Sequence, residues 1–117
     1  MNAIITNKTG EIRFSHDVLA KLAGYAATCC YGVVGMAVKT GKDGIAKLLK
    51  KETMSKGVKV AVSDAGLSVD LYIMVEYGIN IGIIAQSIKS NVKYQVENAT
   101  GLEVSNVNVH VESIRTE

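Results

Sequence analysis

Two adjacent cysteines and two histidines are the side chains of this sequence best suited to chemistry. Cys29 and Cys30 are neighbours, whereas His16 and His110 lie far apart in the chain of 117 residues. Neighbouring side chains on a helix point about 100° apart, so the two sulfurs cannot form an unstrained disulfide. A zinc site needs further ligands at characteristic spacings. We therefore expect no metal site and interpret the cysteines as small packing residues. A reactive Cys29 thiol is the alternative.

The tetrapeptide GVVG, residues 32–35, follows the cysteines and matches the GxxG pattern. In KH domains a GxxG loop between two helices clamps a nucleic-acid backbone. Here both middle residues are valines, where a phosphate clamp favours polar or basic side chains. We expect Gly32 to end a helix, because glycine readily adopts the left-handed conformation there, and the next residues to pack into the core. A KH-like nucleic-acid site using Gly32 and Gly35 is the alternative.

Catalytic and cofactor motifs are missing from the sequence. There is no Walker loop, GxGxxG, HExxH or GxSxG pattern. His110 follows a strand pattern and is expected near acidic residues of other strands, but no nucleophile accompanies it. We predict a protein that is not an enzyme, with no catalytic residues and no cofactor.

The charge of the chain is unevenly distributed. Residues 39–59 contain seven lysines and two acids, a local charge of +5, whereas the whole chain carries only +2. Such a segment can be a solvated surface, a patch for nucleic acid or anionic lipid at Lys47, Lys50 and Lys51, or a contact to an acidic partner surface.

The order of the predicted elements indicates one α+β domain. Its length and 48% hydrophobic content fit a single folded unit. Residues 1–9 are expected to be a flexible N-terminus. The hydrophobic periods then predict strands at 10–15, 57–63, 67–77 and 104–114, a short helix at 45–52 and two main helices. The first helix is predicted to be capped by Ser15 and to end at about Cys30 or Tyr31, and the second to be capped by Asn80 and to end at Gly101. A turn signal at residues 64–66 predicts that strands 57–63 and 67–77 form an antiparallel hairpin. The order β-α-(α)-β-β-α-β predicts a two-layer sandwich, with two main helices on one face of an antiparallel sheet.

The sheet face that the helices leave uncovered, called the open face below, is predicted from strand alternation. Odd residues from Leu67 to Tyr77 are assigned to the core. The open face then carries Asp70, Tyr72, Met74, Glu76 and His110, among solvent-tolerant residues that include Asn106, Asn108, Glu112 and lysines. It can be an ordinary polar surface with a few exposed apolar residues. The alternative is a surface for a partner or for self-association, for which Asp70, Tyr72, Met74, Glu76 and His110 are the candidates.

Several stretches resemble a known family in their order and spacing. They are "GEIRFSHDVLAKLAGYAA", "YGVVGM", "VDLYIMVEYG" and "VENATGLEVSNVNVHV", and the resemblance covers about residues 10 to 115. The chain resembles the alkaline-shock-protein family of Gram-positive bacteria, also called the Gls-type envelope stress response family, in its short YloU-like branch. The adjacent cysteines are not part of the family pattern.

The resemblance implies a small non-catalytic protein linked to cell-envelope stress. It implies a location in the cytoplasm, with a peripheral position at the membrane through a separate anchor protein, and self-association into a homo-oligomer. Short members of the family suggest a fatty-acid-kinase-like protein as a further partner. Nucleic acid is not an expected partner. No apolar run approaches the ~18 residues of a spanning helix, and we expect neither a transmembrane segment nor a signal peptide.

Overall fold

The computed structural model describes residues 3–7, 10–40, 45–48 and 56–115. Within these ranges the chain forms seven strands and two helices. The elements are β1 (Ala3–Asn7), β2 (Gly10–Phe14), α1 (His16–Thr28), β3 (Val33–Thr40), β4 (Ile45–Leu48), β5 (Val58–Ser63), β6 (Gly66–Glu76), α2 (Ile81–Thr100) and β7 (Val104–Arg115). The predicted α+β architecture is confirmed.

Strand β6 is the centre of the main sheet. β7 pairs with it in parallel from Leu67 to Glu76. On the other edge, β5 pairs antiparallel with residues 66–71 of β6 and β3 pairs antiparallel with residues 73–75. β4 continues the sheet beyond β3, while β1 and β2 form a separate two-stranded sheet. Both edges of β6 are therefore occupied along most of its length.

The parallel pairing of β6 and β7 differs from the antiparallel sheet that the sequence predicts. α2 lies between the two strands and has 20 residues, a length of about 30 Å. It returns the chain to the beginning of β6, where Val104 pairs with Leu67. A crossover of this length permits parallel pairing, which a hairpin turn cannot provide. The alternation of valines in β7 is the same for both directions and could not distinguish them.

Both helices pack on one face of the main sheet. The odd residues of β6 from Leu67 to Val75 are at most 2% exposed. They form a single core cluster with α1 and α2 residues that include Leu19, Ala23, Ile88 and Val92. The helices are joined by Asn91, whose Nδ2 donates to the Ala26 carbonyl at 2.8 Å. The predicted two-layer arrangement is confirmed, except that Tyr77, assigned to the core, is 74% exposed beyond the end of β6.

The predicted N-caps of both helices are confirmed. The Ser15 hydroxyl accepts a hydrogen bond from the Val18 amide at 3.2 Å, and the Asn80 side chain accepts one from the Ile83 amide at 3.1 Å. These bonds satisfy amides that have no partner inside the helix. α1 ends at Thr28, with Cys29 as its C-cap, two or three residues before the predicted end at Cys30 or Tyr31.

Three segments differ from the sequence prediction. Ile45–Leu48 forms β4 against β3, whereas a helix was predicted over 45–52; residues 49–52 lie outside the described residues. A two-turn helix is marginal by itself, and the edge of β3 offers backbone partners. Val33–Thr40 forms a strand and not only a packed loop, and Ala3–Asn7, inside the N-terminus expected to be flexible, pairs with β2.

Gly66 provides the first prediction, because a side chain there has no space. Its φ is +122°, and an added Cβ would lie 2.5 Å from the Glu103 carbonyl oxygen, which accepts the Leu67 amide. We expect Gly66→Ala to lower the free energy of unfolding by about 3 kcal/mol or more, from backbone strain plus the clash. Gly78→Ala is the control, since its φ is +85° but no atom lies within 4 Å; we expect a loss of about 1 kcal/mol. Urea denaturation measures both, and equal losses would contradict the steric argument.

Candidate interaction site

The structure places all five predicted open-face residues on the same side of the main sheet. In β6, residues at even positions alternate with the buried core residues. The register of β7 sets Asn108 beside Asp70 and His110 beside Tyr72. On the other edge of β6, β5 sets Lys59 beside Asp70. Directly paired residues point to the same face of a sheet, so these side chains gather opposite the helices.

Tyr72 is the centre of an ordered aromatic stack on the open face. Its ring lies 4.5 Å from the His110 ring, centroid to centroid, with 10° between the planes. The Lys59 ammonium lies 5.3 Å from the Tyr72 centroid, a distance typical of a cation–π contact. Tyr72 is therefore held by side chains of both neighbouring strands.

Asp70 connects this stack to the polar end of the open face. Its Oδ1 accepts a hydrogen bond from Asn108 Nδ2 at 2.9 Å and lies 3.5 Å from His110 Nε2. The Asp70 side chain is 34% exposed and that of His110 is 45% exposed. A pair this accessible to water contributes between 0 and about 1 kcal/mol to stability. The contacts thus orient the side chains more than they stabilise the fold.

Met74 and Glu76 occupy the other end of the open face. Met74 is half-buried. The Glu76 carboxylate accepts a hydrogen bond from Arg115 Nη2 at 2.7 Å. The sequence placed Asn108 and Lys59 on the outward side of their strands without choosing them as candidates, and Arg115 was not predicted. The hairpin register could have revealed Lys59, whereas Asn108 and Arg115 meet their partners only through the parallel pairing of β7.

The GVVG segment joins a helix to a strand. Gly32 lies between α1 and β3 with φ +88°, and its carbonyl accepts a hydrogen bond from the Glu76 amide at 2.9 Å. An added Cβ at Gly32 would lie 2.8 Å from Ile79 Cδ1. Gly35 is buried within β3 and pairs with Met74. This geometry differs from the loop between two helices that a KH clamp uses. The packing of Met36 into the core is confirmed.

The two cysteines have different surroundings. Cys30 is half-buried against the core, and its thiol donates to the Ala26 carbonyl at 3.6 Å. Burial raises the pKa of the Cys30 thiol, a hydrogen bond from Asn91 opposes this shift, and the neighbouring Cys29 raises it further. Cys29 is exposed. The packing interpretation is therefore confirmed for Cys30 and wrong for Cys29.

The other predicted features are only partly described. Lys47 belongs to β4, whereas Lys50 and Lys51 lie outside the described residues, so the basic patch stays a prediction. His16 is the first residue of α1, and its Nε2 is buried without a hydrogen-bond partner. Over the described ranges, no three His, Cys, Asp or Glu side chains are grouped closely enough to hold a metal ion.

Comparison with known proteins identifies the family. Residues 4–116 match the profile of the alkaline shock protein 23 family, which is described as having a cell envelope-related function. The chain belongs to this family. The resemblance inferred from the sequence motifs is confirmed.

Family members from two bacteria show the range of lengths. The protein YloU of Bacillus subtilis is 41% identical over 116 residues, which cover 98% of this chain and 97% of YloU. A stress response regulator gls24 homolog of Streptococcus pyogenes is 34% identical over 107 residues, which cover 92% of this chain and 60% of the homolog. The family relation therefore extends to longer chains that are named for stress response.

A solved structure shares the fold. A structure of MamM CTD superposes with a TM-score of 0.52, covering 87% of this chain and 100% of that chain, at 15% sequence identity. At this identity the likeness concerns the fold alone.

Among the described helices of this family member, none is long and apolar enough to cross a membrane.

The unequal cysteines give the second prediction. We expect iodoacetamide to label Cys29 about tenfold faster than Cys30 or more, because Cys29 is exposed and burial raises the pKa of the Cys30 thiol. The Cys29→Ala and Cys30→Ala variants each leave one thiol, and mass spectrometry of the folded proteins gives the two rates. Equal rates in the folded protein would contradict the assignment; equal rates in urea are the control.

Proposed function

We propose that this protein is a non-catalytic interaction protein of the envelope stress response. The proposal assigns to the open face the role of self-association or of docking on a membrane-associated partner. The cell envelope-related function of the family and the stress-response names of longer relatives support the biological setting. The observation that carries the proposal is the ordered cluster of Lys59, Tyr72, His110 and Asp70.

The composition of the open face supports a protein contact. Tyr72 and Met74 are half-buried near its centre, between Asp70 on one side and the Glu76–Arg115 pair on the other. Tyrosine, methionine and arginine are enriched in the central parts of interfaces, and polar groups surround them. Because stacking already restricts the side chains of Tyr72 and His110, binding would cost less side-chain entropy than if both were free to rotate.

The expected partners follow from the family resemblance. A second copy, a membrane anchor protein and a fatty-acid-kinase-like protein are the candidates, with the protein in the cytoplasm and held at the membrane by its partner. The Arg115 contact leaves Glu76 partly neutralised. A basic partner surface, such as the lysine-rich segment of a second copy, would meet the acidic residues predicted on the open face, which are Asp70, Glu76 and Glu112.

Substitutions on the open face test this function. We expect Tyr72→Asp combined with Met74→Asp to abolish the assembly, because two buried carboxylates at an interface would be desolvated without partners. Light scattering coupled to size-exclusion chromatography measures self-association. Crosslinking and pull-down from the native cell measure binding of the anchor or kinase-like protein.

The control variant is Tyr94→Asp. Tyr94 lies on α2 and is 65% exposed, so the substitution removes a tyrosine and adds a charge away from the open face. We expect it to leave assembly unchanged, and circular dichroism should show that both variants are folded. A wild-type protein that is monomeric at high concentration and recovers no partner lost by the open-face variant would overturn the proposal.

A further inference from the structure

One edge of β7 is unpaired within the described part of the chain. This strand has 12 residues, and the described strands pair with it only through β6. Residues 106–111 pair in continuous register with residues 68–73 of β6, between two irregularities of the ladder. β7 contains neither lysine nor proline, the residues that often protect edge strands from further pairing. The outer edge of residues 106–111 is therefore a regular template of backbone donors and acceptors.

A positively charged groove lies beside this edge. It has a volume of about 260 Å³ and is lined by Lys89 and Lys93 of α2 and by residues 104–108 of β7; we call it the β7 groove. No described carboxylate forms an ion pair with either lysine. Glu97, one turn further along α2, is engaged by the Val104 amide, which donates to its Oε2 at 2.8 Å. The two ammonium groups are thus available to an incoming anion.

We propose that β7 and the β7 groove bind an extended acidic segment of another protein as an added strand. The main chain of that segment would hydrogen-bond to the outer edge of residues 106–111, as in other cases of strand addition. Every second side chain of an added strand lies on the helix side of the sheet. Carboxylates at those positions would face Lys89 and Lys93.

Charge favours an acidic segment over a second copy of this chain. If two copies paired antiparallel through β7, the two-fold axis relating them would be perpendicular to the sheet. Both α2 helices would then lie on the same side of the joined sheet. Lys89 and Lys93 of the two copies would then face each other across the junction, and like charges oppose such pairing. The two lysines of the β7 groove belong to α2, on the opposite side of the sheet from the open face. Asn108 lines the groove and also donates to Asp70, so the two surfaces are adjacent at this residue.

A designed octapeptide tests the site directly. The probe is acetylated and amidated, with threonine and glutamate alternating along its length. We expect it to shift the NMR signals of residues 106–111 and to slow hydrogen exchange of every second amide among them, because strand addition covers the outward amides. Two further versions of the probe carry N-methyl groups on alternate amides, one version on the odd and the other on the even positions. Only one of these sets points toward β7 in an added strand, so we expect one version not to bind. Simple charge attraction would not distinguish the two versions.

Charge reversal of the groove is the matching protein variant. We expect Lys89→Glu with Lys93→Glu to weaken binding of the octapeptide about tenfold or more. Lys21→Glu with Lys56→Glu changes the net charge equally at exposed sites outside the groove and should leave the affinity unchanged. A probe with lysine in place of glutamate should not bind.

Four results would overturn the proposal. They are no protection of residues 106–111 at millimolar octapeptide, equal binding of both N-methylated probes, protection of these amides by a dimer without peptide, or binding of single-stranded oligouridine at the lysines while the octapeptide fails to bind.

Discussion

The pairing of β6 along both of its edges is the constraint on which the rest of the structure depends. Five side chains of this strand are at most 2% exposed under the two helices, and burying each contributes about 1.5–3 kcal/mol. A shift of one residue would move all five to the opposite face. The register of β6 therefore specifies at once which residues form the core and which form the open face.

The two candidate surfaces follow from this arrangement in different ways. On the open face, side chains from three strands meet because their registers align, so Lys59, Tyr72 and His110 come together although β7 is separated from β6 by a helix. The β7 groove lies between α2 and β7, the outer strand of the sheet. One surface offers ordered side chains, whereas the other offers main-chain groups beside two lysines.

The limits of sequence reasoning are clearest at β4 and β7. The pattern of Ile45, Leu48 and Leu49 fits one side of a short helix, yet Ile45–Leu48 is a strand because β3 provides a pairing edge. Alternation identified β7 as a strand but not its direction. The direction brought Asn108 to Asp70 and Arg115 to Glu76. The face on which a residue lies was thus predictable from its own strand, whereas the contacts between residues of distant strands were not.

By itself, the sequence determined the core stripe of β6, both helix caps, the α+β class and the family. Each of these depends on residues close in the chain: a period of two, a Ser or Asn before a helix, or motifs in a fixed order. Only the tertiary structure decided the parallel partner of β6, the contacts around Tyr72 and Asp70, the different exposure of Cys29 and Cys30, and the open edge of β7. These depend on which distant backbone groups meet, and pairing between strands that are far apart in the chain leaves no local trace in the order of the residues.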